Sequence, residues 1–250
     1  MRLDVYLVEH GFFESRTRAQ KAIEEQVVLV NGTLATKANL EISLDSHIEL
    51  IRNVFPYVSR GGIKLEAAIE NFQLDFQNKR VLDIGASTGG FTDCALKHGA
   101  SIVYAVDVGT DQLDSTLRTD PRVKSFEQTN ILDVEQFPIP FDFIVMDVSF
   151  VSIEKLLPAI QRFLRVEASL ICLIKPQYEI GKAHIKNGVV KDKHTHLKVL
   201  QQVDAALSAY QMGILKLIPS PILGGSGNKE FLAHIKKNCK TRVNLLEITK

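Results

Sequence analysis

The sequence predicts an α/β protein, a doubly wound and mostly parallel sheet preceded by a small α+β unit. Three observations carry that expectation. Short apolar stretches, RVLDI, SIVYAVDVG, FDFIVMDVSF and ASLICLIK, alternate with helical patterns between residues 80 and 175. A glycine-rich turn follows the first of them directly, and polar residues close the others. Residues 1–51 read differently, as two short helices and a hairpin, and Pro56 marks the change.

Composition narrows the classes. With 250 residues, 45% of them hydrophobic and 24% charged, the chain has ample apolar content for a packed core and is no disordered tail. It contains no run of about eighteen uncharged apolar residues, so no spanning helix is expected. MRLDVYLVEHGFFESR sets Asp4, Glu9 and Glu14 where a secretory leader needs an apolar core. Cys94, Cys172 and Cys239 are odd in number and widely spaced, which suits neither a disulfide framework nor a zinc site. No metal is expected, and a reducing, cytoplasmic compartment fits. The net charge of +1 hides an uneven distribution: −2 over residues 1–55, −5 over 56–174 and +8 over 175–250. Lys182, Lys186, Lys191, Lys193, Lys236, Lys237, Lys240 and Arg242 make the last third basic. That charge is either a solvated face with a Lys-rich tail or a phosphate-facing surface.

The first helix is read from Leu3, Tyr6 and Leu7, with Gly11 placed to end it. Ser15 is a candidate cap for a second helix with Ala19, Ala22 and Ile23 inward. VVLVNG is a strand running into an Asn31-Gly32 turn, and HIELI is a second strand. Arg16, Arg18 and Lys21 share one side of the second helix. RLD, SRTRAQKAI, VLVNG and Lys37 together resemble the alpha-L RNA-binding fold. That resemblance implies RNA contacts from the Ser15–Lys21 helix and the turn after VLVNG. Arg2 and Arg60 join Arg16, Arg18, Lys21, Lys182 and Lys186 as candidate RNA contacts. The expected boundaries are an RNA-binding domain over 1–52, a linker over 53–58 and a second domain over 59–250.

RVLDIGASTGGFTDCALKHG is the most informative stretch. Val81, Leu82 and Ile84 form a strand, and Gly85, Gly89 and Gly90 permit a tight turn and close backbone approach to a ligand. The helix beyond begins near Phe91 and offers free N–H groups. In the dinucleotide register Ser87 replaces the middle glycine, and no G-K-[ST] follows, which excludes a P-loop. Asp83 suits a cationic amino-acid moiety better than a nicotinamide. Asp107 ends the next strand at about the offset of a ribose-gripping carboxylate. Asn130 is expected at the end of a third strand, against an adenine, and Asp147 at the end of a fourth. DIGASTGGF, AVD and VMDVSF resemble class I S-adenosylmethionine-dependent methyltransferases, with a Rossmann-like sheet. More narrowly they resemble the FtsJ-like RNA ribose methyltransferases. The implied cofactor is S-adenosylmethionine, and the candidate contacts are Asp83, Gly85, Ser87, Gly89, Gly90, Phe91, Asp107, Asn130 and Asp147.

Four ionisable residues stand in unusual settings: Lys64 in SRGGIKLEAAI with Ser59 as a candidate helix cap, Asp147 at a strand end, Lys175 closing an apolar strand, and Glu230 after GGSGNKEF. A ribose 2′-hydroxyl needs help to lose its proton, and a lysine serves as base only where burial or another cation favours its neutral form. Lys175 is therefore the candidate base and Asp147 its orienter, while Lys64 and Glu230 position the ribose and its phosphate. The Lys64, Asp147, Lys175, Glu230 order resembles the tetrad of ribose 2′-O-methyltransferases. With the N-terminal module, SRGGIKL, LIKPQYE and GNKEFL, about residues 2–235 resemble the TlyA family, often labelled hemolysin A. The resemblance implies cytidine ribose methylation on ribosomal RNA, with ribosomal subunits as partners. Two competing readings are an inactive RNA-binding relative and, from the hemolysin label alone, a membrane-active protein. Among weaker signals, His194 and His196 read as a solvated helix start, Tyr178 and Glu179 as candidates to line an RNA channel, and 181–193 as a lid.

Overall fold

A computed structural model describes residues 1–13, 15–24, 26–51, 56–180, 188–224 and 227–249. Lys182 and Lys186 lie outside the described residues, as does most of the expected 181–193 lid. The chain divides into two compact units, Met1–Ser59 and Arg60–Lys250.

The first unit runs α1 (Leu3–Glu9), α2 (Arg16–Glu24), β1 (Val28–Val30), β2 (Thr33–Leu34) and β3 (Ile48–Leu50). Ser15 Oγ accepts the Arg18 N–H at 3.3 Å, a cap for α2. Asn31 and Gly32 both adopt positive φ, 50° and 75°, which matches a tight turn to the twist of its flanking strands. The hairpin partner of β1 is Thr33–Leu34, not HIELI. The latter supplies β3, on the opposite edge of a β2-β1-β3 sheet. Leu3, Leu7, Ala19, Ile23 and Val28 pack as the core. Asp4 is fully buried and accepts from Arg2, Arg16 and Gln20 at 2.7 to 3.0 Å. Those bonds hold its carboxyl well below the ordinary range against the burial that raises it. Arg2 and Arg16, both candidate RNA contacts, are thus also the counterions of a buried carboxylate; their side chains stay 44% and 54% exposed.

The second unit contains α3 (Gly61–Phe72), β4 (Arg80–Ile84), α4 (Gly90–Lys97), β5 (Ile102–Val106), α5 (Ser115–Arg118), β6 (Val123–Phe126), β7 (Phe143–Met146), α6 (Ile153–Phe163), β8 (Ser169–Ile174), α7 (Pro176–Glu179), α8 (Lys193–Ala209), β9 (Met212–Pro219), β10 (Phe231–Lys237) and α9 (Leu245–Ile248). The strand order is β6-β5-β4-β7-β8-β10-β9. β4 to β8 are parallel, and β10 is antiparallel to both its neighbours. The strand order reverses between β4 and β7, which opens a crevice beyond the carboxyl ends of the parallel strands. β8 is buried along its whole length, as a central strand covered on both faces requires.

The β9–β10 pair goes beyond the expected alternation of parallel strands, and it has two consequences. It pairs Phe231 with Ile174, so Glu230 meets the carboxyl end of β8. It also carries Lys236 and Lys237 to the other end of the sheet, where they donate to the Glu167 and Gln161 carbonyls. The basic last third is therefore not one surface. His196 is not a solvated helix start: it is 3% exposed, with Nε2 3.0 Å from the Val190 carbonyl oxygen.

Candidate active site

The fold brings the four ionisable residues together. Lys64 sits in the first turn of α3, whose N-cap is Arg60 without a side-chain capping bond; Ser59 does not cap it. Asp147 and Lys175 are the first residues after β7 and β8, and Glu230 immediately precedes β10. Lys64 Nζ lies 2.8 Å from Glu230 Oε2 and 3.6 Å from Asp147 Oδ2, and Lys175 Nζ lies 2.6 Å from Asp147 Oδ1. Lys64, Lys175 and Glu230 are all buried, and the Asp147 side chain keeps 19% exposure. Two ammonium groups and two carboxylates leave the cluster near neutral, which is what permits its burial. Burial pushes the Asp147 carboxyl up, and Lys64 and Lys175 together outweigh it, holding the group at about 2. Gly224 lies against the Glu230 carboxylate. A Cβ there would come within 2.1 Å of Oε1, so Gly224 makes room for this side chain.

The glycine turn lies beside this cluster. Gly85, Ser87 and Gly89 take φ of 79°, 57° and 97°. A Cβ on Gly85 would stand 3.1 Å from the Asp147 carbonyl oxygen and 3.0 Å from the Val148 side chain. Asp107 accepts the Ser87 N–H at 2.8 Å and the Gly109 N–H at 2.7 Å, tying the turn to the loop after β5. Beside them opens a small cleft lined by Ala86, Ser87, Asp107, Gly109, Gln112 and Glu127.

Of the nine expected cofactor residues, Ser87 and Asp107 line the cleft, and Asp83, Gly90, Phe91 and Asn130 are among the seven that stand elsewhere. Asp83 is fully buried beneath the turn, where Thr92 Oγ1 donates to it at 2.7 Å, and burial pushes its carboxyl up to about 7. Phe91 is 3% exposed and packs inward from α4. Asn130 does not end a strand: β6 stops at Phe126, and Asn130 caps a 3-10 turn by accepting the Leu132 N–H at 3.1 Å. Gly90 is the buried first residue of α4.

Several site residues were not singled out in the sequence, although Ser149 and Phe150 close the VMDVSF motif. Glu127 follows β6 directly. One of its oxygens accepts the Asp111 N–H, and the other is buried with no hydrogen-bond partner among the described residues. Ser149 Oγ accepts from Lys175 Nζ at 2.9 Å. Phe150 is 84% exposed at φ 65°, a left-handed conformation uncommon for a bulky residue, and its ring lies 5.1 Å from that of Tyr178. Glu179 follows Tyr178 at the end of α7. Its carboxylate accepts the Ile153 N–H at the start of α6, and burial pushes it up to about 7.

The residues present fit S-adenosylmethionine. Glu127 leaves a buried acceptor without a donor beside a tight glycine turn, as a ligand carrying hydroxyl and amine donors needs. Comparison with known proteins points the same way. Residues 57–237 match the FtsJ-like methyltransferase family model and residues 1–48 the S4 domain model. The chain is 44% identical to the Hemolysin A of Brachyspira hyodysenteriae, over 94% of this chain and 99% of that one. It is 36% identical to the 16S/23S rRNA (cytidine-2'-O)-methyltransferase TlyA of Mycobacterium tuberculosis, over 94% of this chain and 89% of that one. A solved structure from Streptococcus thermophilus described as a hemolysin is 40% identical, with a TM-score of 0.77 over 100% of this chain and 94% of that one. The chain therefore belongs to the FtsJ-like methyltransferase family, in its TlyA branch, with an S4 domain ahead of an S-adenosylmethionine-dependent methyltransferase domain.

Proposed function

We propose that the chain methylates the ribose 2′-hydroxyl of a cytidine in ribosomal RNA. The observation that carries this reading is the pairing of Lys64 and Lys175 on Asp147 with Glu230 behind Lys64. The bound cofactor supplies an electrophilic methyl group on a sulfonium. Lys175, in its neutral form beside Asp147, would accept the proton of the 2′-hydroxyl at Nζ as that oxygen takes the methyl group. Lys64, held by Glu230, orients the ribose and its phosphate. Asp107, Ser87 and the buried acceptor of Glu127 hold the adenosine part, and Gly85 and Gly89 keep the approach open. The exposed Phe150 ring and the half-buried Tyr178 ring form a stacking platform for a base splayed out of its strand. Arg2, Arg16, Arg18 and Lys21 of the S4 domain and Arg60 before α3 contact RNA phosphates.

Methyl transfer from labelled S-adenosylmethionine to undermodified ribosomal subunits, followed by nucleoside analysis, tests the reading. The expected product is 2′-O-methylcytidine, lost in Lys175→Ala. Equal labelling by wild type and Lys175→Ala would reject the mechanism, and RNA binding without labelling would favour the inactive RNA-binding reading.

A further inference from the structure

Lys175 Nζ has three tetrahedral directions beyond its own carbon. Ser149 Oγ takes one as a hydrogen bond at 2.9 Å, and Asp147 Oδ1 stands against the amine as its ion-pair partner at 2.6 Å. The Tyr178 ring flanks the amine at 5.9 Å, and the residue is only 8% exposed. Two fixed partners define the third direction. On a neutral amine it is the lone pair, and the lone pair is what must face an acceptor hydroxyl.

The loop that carries Ser149 is anchored for such a task. Residues 147 to 153 run alongside 175 to 179 through four contacts: Asp147 and Ser149 with Lys175, Phe150 with Tyr178, and the Ile153 N–H with Glu179. Ser152, the N-cap of α6, makes no side-chain capping bond, so the Glu179 carboxylate takes that place. Phe150 bends the chain at φ 65° directly after Ser149. A non-glycine residue keeps that conformation only where its surroundings hold it. The hydroxyl is thereby set against Nζ rather than left on a free loop.

We infer that Ser149 is a positioning residue that fixes the rotation of the Lys175 amine and aims its third direction at the reacting hydroxyl. The inference rests on Lys175 being the base. The test compares Ser149→Ala, Ser149→Thr and Lys175→Ala in the full chain by methyl transfer to undermodified ribosomal subunits, cofactor binding calorimetry and thermal melting. Removing one hydrogen bond to a charged or reacting group is expected to lower kcat about 10- to 100-fold in Ser149→Ala. KM for the subunits, cofactor affinity and melting temperature should stay at wild-type values, and Ser149→Thr, which keeps the hydroxyl, should recover most of kcat. Wild-type kcat in Ser149→Ala beside an inactive Lys175→Ala overturns the positioning role and leaves the base. A loss that Ser149→Thr shares, or that comes with weaker cofactor binding and earlier melting, also overturns it, since loop support would then explain the defect. Full activity in Lys175→Ala overturns the base assignment itself.

Discussion

Lys64 and Glu230 meet at 2.8 Å across 166 residues of chain, one in the first helix of the methyltransferase unit and the other immediately before β10, the strand next to β8. Both are buried, so the opposite charge of each offsets the burial of the other. Glu230→Ala strands the Lys64 ammonium beside Asp147 alone and is expected to cost about 3 kcal/mol of stability. Lys64→Met combined with Glu230→Leu should regain part of that while remaining inactive. Urea denaturation together with methyl transfer separates the two effects. If the double variant were less stable than Glu230→Ala, the charge argument would fail.

Gly85 joins backbone conformation to close approach. Alanine there meets both a φ of 79° and the Asp147 backbone at 3.1 Å. The expected cost is about 2 kcal/mol, with a cofactor affinity at least tenfold weaker. Gly32→Ala is the control: it has a similar φ of 75° in open space. It should cost only about 1 kcal/mol and leave cofactor binding intact. Calorimetry on both variants decides, and equal binding would remove the close approach from the account.

Phe150 presents its ring at 84% exposure beside Tyr178. Stacking one base on an aromatic contributes about 1–3 kcal/mol. Phe150→Ala should therefore raise KM for the RNA substrate or lower kcat by roughly 5- to 100-fold, with cofactor affinity unchanged. Phe150→Tyr should be near wild type. A Phe150→Ala enzyme with unaltered kinetics would exclude the platform.

Burial sets two opposing pH trends. It pushes the Asp83 carboxyl up to about 7. A raised acid contributes its full stability below its ordinary pKa and loses it as pH rises through the folded value, so the protein weakens between about pH 4 and 7. The shift corresponds to about 4 kcal/mol for this group. Glu179, pushed up to about 7 by the same cause, adds a trend of the same sign. Burial also pushes His234 down to about 4, so its contribution is present above about pH 6.5 and lost as pH falls towards 4. Urea midpoints from pH 4 to 8 should show a smaller decline between about pH 4 and 7 in Asp83→Asn, whose amide oxygen still accepts from Thr92. A decline unchanged by that substitution would assign it to other groups.

Local sequence was enough for every element whose signal is local. Leu3, Tyr6 and Leu7, Asn31-Gly32, and the step from Ile84 to the glycine turn each declare a helix, hairpin or strand end through their own periodicity or backbone needs. The four charged residues were legible for a related reason, since a lysine closing the apolar run of β8 is costly unless it has a partner. What local sequence determined was therefore the two-part α/β plan and the membership of the cluster. Tertiary structure decided the rest. The antiparallel turn of β10 brought Glu230 to Lys64 and carried Lys236 and Lys237 to the far end of the sheet. The early stop of β6 put Glu127, not Asn130, at the strand end. The particular roles of Ser149 and Phe150 came only from contacts with another loop. The physical reason is the same throughout: strand direction, strand length and loop-to-loop contact are settled by pairing between distant segments, and no spacing within one segment records them.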